Sequence, residues 1–118
     1  MRFRKVTAII RSEALEKVEQ ALQKLGVPGI SVMRVKGYGE YANFYTRDGM
    51  TDNARLEIFT SAKRAEAIAR AIMDAAHSGI SGDGIVMVLP VEKAYKIRHR
   101  AEVLPDELAV VHPVDVVA

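Results

Sequence analysis

The sequence predicts an α+β fold made of two β-α-β halves that share a one-sided antiparallel sheet. Three observations carry this. A β-branched run, a helical stripe and a second strand pattern follow one another between Val6 and Val35. The same order returns between Arg55 and Leu89. Each helical stripe follows a serine, Ser12 and Ser61, standing at equivalent places in the two halves.

The first half opens with Val6-Thr7-Ala8-Ile9-Ile10-Arg11, a short β-branched strand run. Ser12 reads as a helix N-cap, with Glu13 and Glu16 in a first turn where the helix dipole favours negative charge. Leu15, Val18, Leu22 and Leu25 then form one apolar stripe, and Gly26 stands where a C-terminal glycine ends a helix. Pro28-Gly29 reads as a turn, and Ile30 to Val35 as a strand with one buried face.

In the second half, Arg55 to Thr60 alternates polar and apolar residues, as a half-buried strand does. Ser61 caps a helix whose apolar face carries Ala65, Ile68, Ala69, Ile72 and Ala76. Gly79 follows its end, and Ile85 to Leu89 is a continuous apolar strand. Two such units in tandem predict the ferredoxin-like β-α-β-β-α-β arrangement, with both helices on one face of the sheet. An apolar second face has to be buried on something, and a homo-oligomer with its sheets turned inward is the simplest solution. The alternative is a monomer with a polar outer face.

Composition narrows the function. A chain of 118 residues, 49% hydrophobic and 27% charged, suits one globular domain. A net charge of +2 with scattered basic residues does not point to nucleic acid. The absence of cysteine removes disulfides, thiolate metal sites and a cysteine nucleophile. The apolar run after the basic residues 1–5 is too short for a signal peptide, and no stretch approaches a membrane span. The expectation is a cytoplasmic protein with no direct membrane insertion.

Two segments stand outside the repeat. Gly37 to Asn53 is a long polar connection between the halves, and connections of this length are usually functional or mobile. The tail, residues 101–118, holds Pro105 and Pro113 but also Leu108, Val110, Val111, Val114, Val116 and Val117. It is too apolar for a purely disordered tail, and packing on the body or on a neighbour is expected.

No catalytic constellation is legible. His77, His99 and His112 lie in different expected elements and read as separate surface or helix-end residues, so no metal site is expected. Glu57 stands inside a strand and reads equally as a solvent-facing residue or as an acid lining a cleft. The most informative stretch is Ser78-Gly79-Ile80-Ser81-Gly82-Asp83-Gly84. Its three glycines let backbone N–H groups approach an anion, although the Gly-Lys-Ser/Thr ending of a Walker A loop is missing. Lys96, Arg98 and Arg100 alternate in an expected last strand, which would project three cations to one face. Together these features point to a phosphate or nucleotide site.

With those residues in view, the sequence resembles the PII family of signal-transduction proteins over nearly the whole chain to about Arg100. The resemblance rests on Val35-Lys36-Gly37-Tyr38-Gly39, on Gly79-Ile80-Ser81-Gly82-Asp83-Gly84 and on Tyr95-Lys96-Ile97-Arg98. It implies a homotrimer with inward sheets over residues 1–100, adenine nucleotides in intersubunit clefts, and a T-loop at residues 37–53 that contacts a partner protein such as a transporter, enzyme or regulator. It implies no enzymatic activity. Carried over by residue, Gly82, Asp83 and Gly84 would cradle phosphates, and Lys96 and Arg98 would pair with them. Gly37 and Gly39 would frame the T-loop base, and Glu57 would lie near the adenine. Ser31 and Ser78 match positions that often carry a hydroxyl near the base.

The chain departs from the family at several of these positions. Ile85 stands where the family has a phosphate-binding lysine, and Glu40-Tyr41 replaces an Arg-Gln pair whose glutamine serves magnesium and 2-oxoglutarate. The loop is shorter, and neither Tyr41 nor Tyr45 aligns with the tyrosine modified in some members. Losing one cation weakens a triphosphate by about 1–3 kcal/mol, the scale of a charge-assisted hydrogen bond. The expected ligand is therefore ADP or AMP rather than ATP. The alternative is a metal- or efflux-associated, CutA-like trimer that binds no nucleotide.

Overall fold

The computed structural model describes residues 2–39 and 49–104. Four strands form the main sheet: β1 (Phe3–Arg11), β2 (Ser31–Gly37), β3 (Thr51–Ser61) and β4 (Gly84–Val91). A 3-10 turn, Ser12–Ala14, leads into helix α1 (Leu15–Lys24), and α2 (Ala62–Ala76) follows β3 directly. The strand order is β2-β3-β1-β4, with every neighbouring pair antiparallel. This is the β-α-β-β-α-β topology expected from the tandem repeat.

Alternation along β1 separates the two faces, because successive strand residues point to opposite sides. Val6, Ala8 and Ile10 are buried and join Ala54, Leu56 and Ile58 of β3 with Val18, Leu22, Ala65, Ile68 and Ile72 of the helices in one core. Both helices therefore cover the same face. Gly26 closes α1 with φ 80°, and Arg64 of α2 donates from Nη2 to the Leu25 carbonyl at 2.6 Å, a cation at the negative helix end.

The opposite face is built from cross-strand rows. Lys5 lies between Phe59 and Leu89, Thr7 between Glu57 and Met87, Ile9 between Arg55 and Ile85. Met33 and Val35 extend these rows onto β2, opposite Arg55 and Asn53. Phe3 stacks against Phe59 with ring centroids 5.2 Å apart. Met33, Phe59, Ile85, Met87 and Leu89 of this face are all exposed. No element among the described residues covers it.

Several expectations need correction. Ser12 is not the N-cap of α1: that position is Ala14, and the Ser12 hydroxyl donates to the Asp52 carbonyl at 3.1 Å. Ser61 does hold the N-cap position of α2, but its side chain makes no capping bond. The N–H of Ala62 instead donates to the Arg2 carbonyl at 2.8 Å. Strand β2 runs to Gly37 and is mostly exposed, since it is a sheet edge.

The connection between the halves is also shorter than the span Gly37 to Asn53. Gly37 pairs with Thr51 and Val35 with Asn53, so both ends of that span belong to a hairpin. Its middle, with Glu40, Tyr41 and Tyr45, lies outside the described residues, as does the tail beyond Leu104.

The expected last strand is not a continuous strand. Only Tyr95–Lys96 is extended (β5), and it pairs with Ala101–Glu102 (β6) in a small separate hairpin. Residues 97–100 turn between them, with the Arg100 N–H donating to the Ile97 carbonyl and Arg100 at φ 49°. The regular alternation that would have aligned Lys96, Arg98 and Arg100 on one face is therefore broken by the turn. Buried Val103, whose N–H donates to the Ala94 carbonyl, anchors the hairpin's end.

Candidate functional site

At one end of the sheet, β1, β2, β3 and β4 converge around a cavity of about 710 Å³. Its apolar wall is Ile9, Val35 and Ile85, and its polar groups include Arg11, Lys36, Asp52 and Asn53. The glycines predicted from sequence meet here: Gly37 and Gly39 from the hairpin, Gly82 and Gly84 from the glycine-rich loop. They line opposite sides of the cavity, since β3 and β1 lie between β2 and β4.

The glycine-rich loop is organised by its own aspartate. Asp83 accepts hydrogen bonds from the Ser78 N–H at 2.8 Å, the Gly79 N–H at 2.9 Å and the Ser78 hydroxyl. It also pairs with the Arg11 guanidinium, Nε to Oδ1 at 3.4 Å. The Ser78 hydroxyl and N–H, with the Gly79 N–H and Arg11, hold its carboxyl well below the usual carboxylate range. The side chain of Asp83 is thus engaged in shaping the loop. Gly79, Gly82 and Gly84 all have positive φ, which glycine adopts without steric cost.

The loop base is likewise fixed by side chains. The Thr51 hydroxyl donates to the Gly37 carbonyl at 3.0 Å, and Asn53 Nδ2 donates to Thr51 Oγ1 at 3.0 Å. These bonds hold the mouth of the 38–50 connection against the cavity.

The remaining predicted residues lie elsewhere. Glu57 is at the centre of the outer sheet face, 2.7 Å from Arg55 and 3.2 Å from Lys5, and does not line the cavity. The Lys5 hydrogen bond, with Arg55 beside it, lowers its pKa. Neither sequence reading of Glu57 anticipated that ion-paired setting. Lys96 and Arg98 are exposed on the β5–β6 hairpin and do not line this cavity. Ser31 starts β2 opposite Glu57. His77 caps the end of α2 and His99 sits in the hairpin turn; His112 lies outside the described residues. Among the described residues, no three His, Asp or Glu side chains are grouped to hold a metal ion. No helix among them is long and apolar enough to cross a membrane.

Sequence reasoning missed Arg11, Lys36 and Asn53 as cavity residues. Arg11 reads as an ordinary strand end until its register opposite Asn53 is known. No signal in the sequence marks it, because the Ile10–Gly84 pairing that carries it to the glycine-rich loop is a property of the sheet register.

Comparison with known proteins agrees with this architecture. The family model for nitrogen regulatory protein P-II matches residues 3–101. The nitrogen regulatory protein GlnK2 of Haloferax mediterranei is 38% identical, over 79% of this chain and 81% of its own. The nitrogen regulatory protein P-II of Rhizobium meliloti is 34% identical, over 81% and 92%. A crystal structure of Arabidopsis thaliana PII bound to citrate superposes with a TM-score of 0.74 at 32% identity, covering 86% of this chain and 88% of that one. An antiparallel sheet with two helices on one face and a glycine-lined cavity at its end define a ferredoxin-like α+β protein. The chain belongs to the P-II nitrogen regulatory protein family.

Proposed function

We propose that this protein is a homotrimeric signalling protein that senses an adenine nucleotide, ADP or AMP in preference to ATP, and reports its occupancy to a partner protein through the 37–53 loop. The observation that carries this reading is the cavity, where the hairpin glycines and the glycine-rich loop meet. The cavity is continuous with the exposed apolar sheet face through Ile9 and Ile85. A second copy packed on that face buries apolar surface and lines the open side of the cavity. Burial of that surface is favourable at roughly 25 cal/mol per Å².

The lining chemistry favours fewer phosphates. Ile85 contributes an apolar side chain to the cavity wall, and the carboxylates of Glu13 and Asp52 accompany the cations Arg11 and Lys36. A triphosphate carries the most negative charge and gains least from such a balanced lining. In the trimer, Lys96 and Arg98 of the hairpin supply further positive charge to the phosphates.

Isothermal titration of the full chain with ADP, AMP, ATP and divalent metal ions tests this reading. ADP or AMP binding more tightly than ATP, with little gain from 2-oxoglutarate, is expected. Arg98→Ala weakens binding by roughly 1.5–3 kcal/mol if its guanidinium makes a charged hydrogen bond. Tight ATP binding strengthened by 2-oxoglutarate contradicts the ligand preference. Metal binding without any nucleotide binding favours the CutA-like alternative.

A further inference from the structure

Two consecutive residues at the end of β1 touch both parts of the cavity. Arg11 reaches across the sheet end to the glycine-rich loop, where its Nη2 donates to the Ser81 carbonyl and its Nε pairs with Asp83. Ser12 turns to the other side and donates its hydroxyl to the Asp52 carbonyl at 3.1 Å. Asp52 is the cross-strand partner of Lys36, one step inside the Gly37–Thr51 pair that closes the hairpin. Arg11 itself pairs with Asn53, whose side chain holds Thr51. A continuous chain of contacts therefore runs from Ser78 and Asp83, through Arg11 and Ser12, to Asp52, Asn53, Thr51 and Gly37.

The chain has few soft points. Arg11 bridges a carbonyl and a carboxylate of the same loop, so a change in the Ser81–Asp83 conformation cannot leave both contacts in place. The loop's far end is held independently, since Gly84 is packed directly on the Ile9 backbone. Movement in the loop is thus confined to residues 78–83, the part that Arg11 grips. At the other end, Ser12 and Asn53 act on backbone that opens the 38–50 connection.

We propose that Arg11 and Ser12 form a relay: Arg11 positions the glycine-rich loop for its anionic ligand, and Ser12 passes the state of that loop to the base of the hairpin. Arg11 is a positioning residue in this account. The inference rests on the ligand reading above for its signal, but the mechanical link is a property of the free protein too.

Amide hydrogen exchange on the full chain tests it in two arms. In the ligand-free arm, Arg11→Gln loses the contacts to both Ser81 and Asp83 and is expected to speed exchange at 79–83 by at least roughly tenfold, the lower end of the scale of a charge-assisted hydrogen bond. It is expected to speed exchange at 51–53 as well, while Leu56 and Ile58 at the strand centre stay unchanged and show that the fold is intact. Ser12→Ala speeds exchange at 51–53 alone. Arg11→Lys, which keeps the charge but not the forked geometry, falls between wild type and Arg11→Gln. Unchanged exchange at 51–53 in Arg11→Gln overturns the relay.

In the second arm the probe is ADP. Wild type is expected to gain protection at both 79–83 and 51–53, and Ser12→Ala to gain it at 79–83 only. Equal protection of 51–53 in Ser12→Ala overturns the relay while leaving the ligand reading intact. Failure of ADP to bind wild type counts against the ligand reading, and the ligand-free arm then decides the relay by itself.

Discussion

Gly84 sits so close to β1 that a Cβ built on it would lie 1.9 Å from the carbonyl oxygen of Ile9. Its φ of 109° is also a conformation that side chains resist. The last glycine of the Gly-Asp-Gly segment therefore serves the joining of β4 to β1, whatever the loop binds. Gly84→Ala is expected to destabilise the fold by more than the roughly 1–3 kcal/mol that a strained backbone position costs, because the Ile9 carbonyl must shift as well. A urea midpoint equal to wild type would show that the loop yields without cost.

Asp83 gives the glycine-rich loop a pH dependence of known sign. Its folded-state pKa lies below the ordinary 3.8, mainly through the Ser78 hydroxyl bond. A carboxylate of this kind stabilises the folded loop fully above its unfolded value, and loses that contribution as pH falls through the lower folded value. Loop protection at 78–83 is therefore expected to hold at neutral pH and to decline only below about pH 3.8. Carbon-detected NMR of the Asp83 carboxyl checks this: a titration midpoint at or above 3.8 contradicts it.

Ile68 is 1% exposed in the core between α2 and the sheet. Ile68→Ala removes buried methyl and methylene groups and leaves a void, at a cost of about 2–5 kcal/mol. Chemical denaturation measures the loss. A smaller loss means that the helices close over the gap.

As the proposed trimer interface, the outer sheet face would make that assembly sensitive to charge. Met87 lies on that face in the same cross-strand row as Thr7 and Glu57, the acid that Lys5 and Arg55 pair with. Met87→Glu places a carboxylate near Glu57 inside the proposed interface, and burying an unpaired charge is strongly unfavourable. Light scattering is expected to show the mass falling to that of one chain, with the far-ultraviolet dichroism of the fold retained. An unchanged trimer places the interface on another surface.

Much of the fold was legible because the two β-α-β halves carry clear periodicities. Val6, Ala8 and Ile10 alternate, and Ile68 and Ile72 stand on one helix face, so the core followed directly. Gly82 and Gly84 were legible because a positive φ leaves few alternatives to glycine, whereas Gly37 and Gly39 have open space around them and were named only through the family resemblance. The Lys96–Arg100 segment misled, because alternating cations imitate a strand while the chain turns at Ile97 to Arg100. Ser12 misled in the same way: serine before an acidic turn signals a cap, but a 3-10 turn intervenes and its hydroxyl meets Asp52 instead. Arg11 was silent because its role depends on partners 70 and 72 residues away, which only the sheet register brings near.

Native mass spectrometry of the full chain with ADP reads assembly and occupancy together, and so tests nucleotide sensing by a trimer. A trimer is expected that takes up one, two and then three ADP molecules as the nucleotide concentration rises, with AMP behaving alike and ATP lagging behind. A monomer at micromolar concentration, or a trimer that stays empty in saturating ADP, would contradict it.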